Sequence, residues 1–144
     1  MKKYLMKDKE LRKHISYLKM ASEWAENSCC NRKKVGALIV KDKMIISDGY
    51  NGTPSGFTND CEDVNGNTQW FVLHAEANAI TKLSKSTQSA DGATLYMTLS
   101  PCRECSKLII QSGIKRIIYK EEYRDTSGLY ILKEAGIIVV KLDY

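Results

Sequence analysis

The chain has 144 residues, of which 43% are hydrophobic and 27% charged. This composition fits one globular domain and argues against disorder. No apolar run approaches the roughly 18 residues of a membrane span, and no N-terminal hydrophobic stretch predicts a signal peptide. We therefore expect a cytoplasmic protein whose single domain covers residues 1–144.

The formal net charge is +5, from 22 basic and 17 acidic residues. Residues 1–13 hold six of the basic and two of the acidic side chains, so the rest of the chain carries only +1. This excludes a nucleic-acid-binding face that spreads over the whole domain. We interpret residues 1–13 as a basic arm or helix start in solvent, with an arm that contacts polyanions as the alternative.

The hydrophobic pattern alternates between helical and strand periods. A helical stripe covers residues 11–26, and apolar runs at 35–40 and 44–50 predict a hairpin. A loop rich in glycine, asparagine, serine and proline follows over 49–67. The remaining elements are helices at 74–83, 100–111 and 127–135, and strands at 94–99, 114–119 and 137–142. This order predicts an α/β sandwich with parallel strands at the C-terminal end.

Two short segments carry chemistry, and each lies where a predicted helix begins. One is residues 74–76 (HAE), and the other is residues 101–105 (PCREC), whose helix we expect Ser100 to cap. Cys102 and Cys105 are three residues apart and share one helix face. Helices that start at the same end of a parallel sheet direct their N-termini at one crevice. The two segments are therefore expected to meet there.

The side chains in these segments suit zinc. An imidazole from His74 and thiolates from Cys102 and Cys105 are ligands that zinc prefers. Three ligands leave a fourth tetrahedral position for water, whose pKa zinc lowers to about 7. Glu76 is predicted to lie beside that water as a proton carrier. The pattern H-x-E followed by P-C-x-x-C is the known signature of zinc nucleobase deaminases.

Residues 73–80 (LHAEANAI) and 98–105 (TLSPCREC) resemble the cytidine and deoxycytidylate deaminase superfamily. A resemblance to deoxycytidylate (dCMP) deaminases in particular is carried by residues 35–37 (VGA), 49–56 (GYNGTPSG) and 111–115 (QSGIK). The resemblance covers residues 14–142. It implies the cytidine deaminase-like fold, a three-layer α/β/α sandwich with a five-stranded mixed sheet.

The activity that the resemblance implies is the hydrolytic deamination of dCMP to dUMP, which supplies thymidylate synthesis. One catalytic Zn²⁺ per subunit would be held by His74, Cys102 and Cys105, and Glu76 would move protons from the water to N3 and to the leaving amine. The residues expected to bind the substrate are Asn51, Ala75, Ser100, Tyr123 and, for the phosphate, Arg32 or Lys34.

Many relatives of this kind are homohexamers that dCTP activates, with Mg²⁺, and dTTP inhibits. The resemblance therefore implies a homo-oligomer, a hexamer, that binds small nucleotides, and neither a membrane nor nucleic acid is expected as a partner. The implied effector region is Gly49, Tyr50, Asn51, Gly52, Pro54 and Gly56. A segment of this composition also serves simply to turn the chain tightly, which is the alternative interpretation.

Other functions stay open at this point. The same chemistry could act on cytidine, guanine or a tRNA adenosine. A zinc-stapled binding module without catalysis is a further alternative, but it would need a fourth protein ligand, for which Cys61 is the only plausible donor. Such a module would have no use for Glu76.

The remaining cysteines and the second histidine have simpler interpretations. Five cysteines in a chain without an export signal argue against a disulfide framework. Cys29, Cys30 and Cys61 are interpreted as small buried cysteines, with a shared metal as the alternative. His14 is interpreted as a surface or interface residue without chemistry.

Overall fold

Four α-helices and five β-strands alternate along residues 8–144, the part of the chain that the computed structural model describes. In chain order they are α1 (Asp8–Ala25), β1 (Gly36–Lys41), β2 (Met44–Tyr50), α2 (Ala75–Lys82), β3 (Thr94–Leu99), α3 (Arg103–Gln111), β4 (Arg116–Glu121), α4 (Ser127–Glu134) and β5 (Ile138–Lys141). A short 3-10 helix, Leu83–Lys85, extends α2. None of these helices has the length and apolar character that crossing a bilayer requires.

The strands form one mixed sheet in the order β2-β1-β3-β4-β5. β1 runs antiparallel to both β2 and β3, whereas β3, β4 and β5 are parallel to one another. The parallel strands are connected through α3 and α4, as parallel pairing requires a crossover connection. The carboxyl ends of β3 and β4 therefore lie at the same edge of the sheet.

Helices cover both faces of the sheet. On one face, Leu18 and Ala21 of α1 pack against alternate strand residues such as Leu38 and Tyr96. On the other face, α2, α3 and α4 pack against the intervening set, such as Ile39 and Leu95. Because successive side chains of a strand point to opposite faces, a strand covered on both faces is apolar throughout. The three-layer α/β/α sandwich with a five-stranded mixed sheet is confirmed.

Two helix starts differ from the sequence predictions. α1 begins at Asp8, so residues 8–13 are its first turns, while residues 1–7 of the predicted basic arm lie outside the described residues. α3 begins at Arg103 with Cys102, not Ser100, as the N-cap residue. The Cys102 Sγ accepts a hydrogen bond from the Cys105 backbone N–H at 3.5 Å. The Ser100 hydroxyl is engaged elsewhere, with Tyr123.

Cys30 and Cys61 are buried, as predicted, but the expected absence of a disulfide and the expected burial of Cys29 were wrong. Cys30 and Cys61 are joined by a disulfide with a Cα–Cα distance of 5.1 Å, and Cys29 is exposed. The bridge lies where the loop after α1 runs beside the long segment between β2 and α2. Near it, the Asn31 backbone N–H donates to the Glu62 carboxylate at 2.5 Å. Neither the metal shared by these cysteines nor Cys61 as a fourth zinc ligand fits this arrangement.

The interpretation of His14 was also wrong. His14 is only 4% exposed, because α1 packs on the sheet with this side chain on its covered face. Its Nδ1 lies 2.6 Å from the Tyr96 hydroxyl, and the two rings are in tilted contact. The buried residues of α1 are His14, Leu18, Ala21 and Ala25, at helical spacing, so His14 occupies the covered face that the sequence analysis reserved for apolar residues.

Candidate functional site

Helices α2 and α3 both begin at the edge of the sheet where β3 ends. His74 is the N-cap residue of α2, and its extended backbone (φ −73°, ψ 157°) turns the chain into the helix. Cys102 is the N-cap residue of α3, and Cys105 lies in the first turn. The predicted meeting of the two segments is observed, because parallel strands deliver both helix starts to one crevice.

The three proposed metal ligands lie close together. The His74 Nδ1 is 3.5 Å from the Cys102 Sγ and 3.3 Å from the Cys105 Sγ. Ligand atoms at 2.0–2.3 Å from a tetrahedral zinc ion lie about 3.5 Å from one another. The donor set therefore fits zinc in both chemistry and spacing. Among residues 8–144, no fourth His, Cys, Asp or Glu side chain joins this cluster.

Contacts within the cluster shift the pKa values of its two thiols in opposite directions. The hydrogen bond from the Cys105 side chain, with a further contribution from His74, lowers the pKa of the Cys102 thiol to about 4. The same hydrogen bond, with burial, raises the pKa of Cys105 far above its ordinary value. A divalent ion holds both sulfurs as thiolates, since the thiolate is the form that binds metals.

Glu76 lies in the first turn of α2 with a side chain that is 3% exposed. Its Oε1 is 3.6 Å from the His74 Nδ1, so the carboxylate lies next to the ligand cluster. The Glu76 charge also acts on the Cys105 thiol. A buried carboxylate beside a metal site, but outside its ligand set, is suited to carry protons.

Gly128 at the start of α4 supports the turn that carries Cys102. A Cβ at this position would meet the Cys102 carbonyl oxygen at 2.9 Å and its carbonyl carbon at 3.0 Å. The Cys102 carbonyl also accepts a hydrogen bond from the Ser106 hydroxyl at 2.8 Å. The α3–α4 contact therefore depends on a residue without a side chain at 128.

A cavity of about 490 Å³ opens over the cluster, and we call it the substrate cavity. Its size is typical of sites for small organic ligands. Glu76 and two of the metal ligands line it, together with several residues from the sequence predictions. The residues of its wall that matter below are Arg32, Asn51, Ala75, Ser100, Tyr123 and Arg124.

Asn51 lines the substrate cavity, but its amide also serves the backbone. Its Oδ1 accepts a hydrogen bond from the Val35 N–H at 2.9 Å, and its Nδ2 donates to the Lys33 carbonyl at 2.7 Å. An amide has two lone pairs and two donor hydrogens, so one of each stays available for a ligand. Asn51 therefore fixes the loop before β1 and still faces the cavity.

Ser100 and Ala75 form the buried part of the wall. The Ser100 hydroxyl accepts a hydrogen bond from the Tyr123 backbone N–H at 2.7 Å, and Tyr123 also lines the cavity. Ala75 is fully buried as the first residue of α2. The four residues predicted to contact base and sugar, Asn51, Ala75, Ser100 and Tyr123, thus line one cavity with Glu76.

The cationic residues divide into two groups. Arg32 and Arg124 line the substrate cavity, and the Arg124 guanidinium lies 5.9 Å from the centre of the Tyr123 ring. Lys34 does not line it, and its ammonium lies 3.9 Å from the Glu26 carboxylate. Lys33 lines it but pairs with Glu121 at 2.7 Å. Sequence reasoning missed Arg124, whose neighbour Tyr123 was the available signal.

The residues of the implied effector region have structural roles of their own. A Cβ at Gly49 would overlap the Ala75 carbonyl oxygen, so β2 and α2 approach closely at this point. The Tyr50 carbonyl accepts a hydrogen bond from the Asn78 side chain at 2.8 Å. Gly52 forms a β-bridge with Leu73, directly before the ligand His74. The segment therefore supports the position of the proposed metal ligands, and its response to effectors stays a prediction.

Comparison with known proteins agrees with this geometry. The model of the cytidine and deoxycytidylate deaminase zinc-binding region matches residues 11–121. The chain belongs to the cytidine and deoxycytidylate deaminase family. It is therefore an enzyme of the zinc-dependent deaminase class, and the zinc-ligand segments lie within the matched residues.

Individual members of the family are similar over most of the chain. The deoxycytidylate deaminase of Enterobacteria phage T4 is 37% identical over 79% of this chain and 81% of its own length. That of Saccharomyces cerevisiae is 35% identical, and the chain spans 44% of its length. The crystal structure of dCMP deaminase from the cyanophage S-TIM5 with dCMP and dUMP superposes with a TM-score of 0.89. It is 47% identical, over 95% of this chain and 99% of that one.

Proposed function

We propose that this chain catalyses the hydrolytic deamination of dCMP to dUMP and ammonia. The observation that carries the proposal is the buried Glu76 carboxylate beside the cluster of His74, Cys102 and Cys105, at the wall of the substrate cavity. The cyanophage structure that this chain resembles holds dCMP and dUMP, which supports the choice of substrate.

Zinc supplies one part of the chemistry: when bound, it lowers the pKa of a water molecule and polarises it for attack on C4 of cytosine. His74, Cys102 and Cys105 would hold the ion, and three protein ligands are the number that catalytic zinc sites use. The roles of the other residues follow from where they lie in the substrate cavity.

Glu76 is the proton carrier of the reaction. Its carboxylate takes a proton from the attacking water and delivers it to N3 of the base. A second proton passes to the exocyclic amine, which leaves as ammonia while the oxygen from water stays on C4. Burial of Glu76 keeps bulk water away from these transfers. Proton transfer by a positioned side chain contributes about 10²–10⁴ in rate.

The remaining wall positions the nucleotide. The backbone at Ala75 and Ser100 contacts the base, and Asn51 contacts the deoxyribose with its free amide capacity. Tyr123 lies beside the substrate, where the Ser100 hydroxyl fixes its backbone. For the phosphate, Arg32 and Arg124 are better placed than Lys34, since both guanidinium groups belong to the cavity wall. Arginine binds phosphate with two parallel hydrogen bonds.

The organisation of the protein is part of the proposal. A single deaminase domain spans residues 1–144, acts in the cytoplasm and assembles as a homo-oligomer, a hexamer. Exposed apolar side chains on the segment before α2, such as Phe57, Val64 and Trp70, support a subunit interface there. Regulation by dCTP with Mg²⁺ and by dTTP, through residues 49–56, rests on the resemblance of that segment.

Loss of the cytosine absorbance band tests the substrate directly. The zinc-loaded protein is mixed with dCMP, CMP, deoxycytidine or cytidine, with and without dCTP and Mg²⁺. Fast conversion of dCMP alone is expected, because only dCMP has both the 2′-deoxy sugar and the phosphate. Equal conversion of deoxycytidine would contradict the nucleotide assignment, and activity only with dCTP would establish the regulation. Guanine and a tRNA are the further substrates if none of these reacts.

A further inference from the structure

A second cavity of about 480 Å³ lies at the opposite end of the sheet from the zinc ligands. Its wall combines the first turns of α1, the turn between β1 and β2, and the starts of β3 and β4 at Thr94 and Arg116. No described residue lines both this cavity and the substrate cavity. We call it the basic cavity, and the proposed deamination makes no use of it.

The basic cavity has a large excess of positive charge. Two of its lining residues are acidic, Glu10 and Asp42, whereas six are cationic: Lys9, Lys13, Lys41, Lys43, Lys115 and Arg116. The whole chain has a net charge of only +5, so most of its excess is gathered around this one cavity. A cavity lined by an excess of one charge attracts ions of the opposite charge, so this cavity favours an anion.

Internal partners compensate little of this charge. The Glu10 Oε1 lies 3.9 Å from the Arg116 Nη1 and 3.6 Å from the His14 Nε2. The same carboxylate oxygen therefore faces both side chains. The Lys41 ammonium donates to the Ser89 carbonyl at 3.3 Å. Within residues 8–144, the other four lysines of the cavity form no ion pair.

The floor of the basic cavity contains a buried polar atom without a partner. The His14 Nε2 has no hydrogen-bond partner among residues 8–144. Burial raises the pKa of Tyr96 to about 12, so its hydroxyl stays protonated and can donate to the His14 Nδ1. In that tautomer the imidazole proton is on Nε2, and the nearest acceptor, the Glu10 carboxylate at 3.6 Å, is too distant for a full hydrogen bond. Buried donors are almost always satisfied, so a closer acceptor oxygen would complete a bond that Glu10 makes only in part.

We propose that the basic cavity is a second ligand site, for a small anion that carries two or more phosphate groups. Six cationic side chains exceed what one orthophosphate needs. A volume of about 480 Å³ also holds more than a single phosphate group. The phosphate oxygens would contact Lys13, Lys115 and Arg116, and one of them would accept from the His14 Nε2. Both inorganic polyphosphates and nucleoside triphosphates have this chemistry.

Calorimetric titration of the full-length, zinc-loaded protein with inorganic tripolyphosphate tests the proposal, at 0.15 M salt, about physiological ionic strength. The double variant Lys13→Gln/Lys115→Gln removes two cavity charges. The matched control Lys85→Gln/Lys133→Gln removes two exposed charges outside the cavity. The variant Arg32→Gln/Arg124→Gln reports on the substrate cavity. Exposed substitutions of this kind change stability by about 0.5 kcal/mol or less, so all three variants should fold.

The proposal predicts one tripolyphosphate per chain, at least tenfold weaker binding in the cavity variant, and less than twofold change in the other two. Orthophosphate should bind far more weakly than tripolyphosphate. The NMR signals of the His14 ring should shift on binding, and assignment is simple because the chain has two histidines. Titration with ATP distinguishes the two sources: tighter binding than tripolyphosphate identifies a nucleotide, and equal binding an inorganic polyphosphate.

Three outcomes would overturn the proposal. Absence of binding by the wild-type protein removes the site. Equal weakening in the Lys85/Lys133 control shows general attraction to a basic protein instead of a cavity. Loss of binding in the Arg32/Arg124 variant alone places the anion in the substrate cavity. The last result would leave the proposed deamination untouched, so the two proposals fail separately.

Discussion

The hydroxyl of Ser100 accepts a hydrogen bond of 2.7 Å from the backbone N–H of Tyr123. This bond joins the end of β3, which leads into the zinc-ligand helix, to the segment after β4 that carries Tyr123 and Arg124. One side of the substrate cavity is thereby fixed relative to the metal ligands.

Ser100→Ala should weaken substrate binding without emptying the metal site. The substitution leaves the Tyr123 N–H unpaired in a partly buried place, which costs about 1–3 kcal/mol. We expect KM for dCMP to rise by about 5- to 160-fold, while zinc content stays at one ion per chain. Steady-state kinetics and metal analysis check this, with the exposed Ser84→Ala as a control. An unchanged KM would show that the bond does not position Tyr123.

Arg32→Gln and Arg124→Gln should act on the nucleotide and not on the nucleoside. Hydrogen bonds to charged groups contribute about 1.5–3 kcal/mol, so loss of one raises KM for dCMP by about 10- to 100-fold. The weak turnover of deoxycytidine should not change. Lys34→Gln is the matched control, because Lys34 lies outside the cavity. If both substrates lost activity equally, neither arginine would bind the phosphate.

Cys61→Ser should lower thermal stability under oxidising conditions. The disulfide closes a loop with a sequence separation of 31 residues. A loop of that length stabilises a fold by about 3–4 kcal/mol through the unfolded state. Thermal unfolding should therefore show a much lower Tm, while Cys29→Ser, which removes an exposed cysteine, leaves it unchanged. Equal Tm values for the two variants would contradict the pairing of Cys30 with Cys61.

His14 should titrate below pH 6.5. Burial is the main cause that lowers its pKa, and the charge of Arg116 adds to it, while Glu10 opposes both. The unfolded chain takes up this proton near pH 6.5 and the folded chain only at lower pH. His14 therefore makes the free energy of unfolding decrease as pH falls through that interval. An NMR titration measures the midpoint directly, and a value at or above 6.5 would refute the burial argument.

That His74, Cys102 and Cys105 lie together beside Glu76 could be predicted because each segment is local. A histidine and a glutamate two positions apart, and two cysteines three apart, are each positioned by a single helix start. The strand between the segments then requires both helices to begin at one edge of the sheet. The three-layer fold could be predicted because apolar residues recur at regular helix and strand spacings, and because the resemblance covers most of the chain.

The features that the sequence did not reveal depend on contacts between distant segments. Cys30 and Cys61 are far apart in the chain, and Arg124 joins the cavity only because Ser100 fixes the segment after β4. His14 is buried because α1 packs on Tyr96, 82 residues away in sequence. The helix start at Arg103 instead of Pro101 has the same origin, since Ser100 bonds Tyr123 and Cys102 caps α3.

The pair of wild-type protein and Glu76→Gln, assayed for dCMP deamination and for bound zinc, tests the central claim most directly. Glutamine keeps the size of the side chain but cannot accept and deliver the proton. The account predicts that the variant holds one zinc per chain and loses turnover by at least about 10²-fold. A variant that binds zinc and deaminates dCMP at the wild-type rate would contradict it, because no described residue other than Glu76 has been placed to carry the proton.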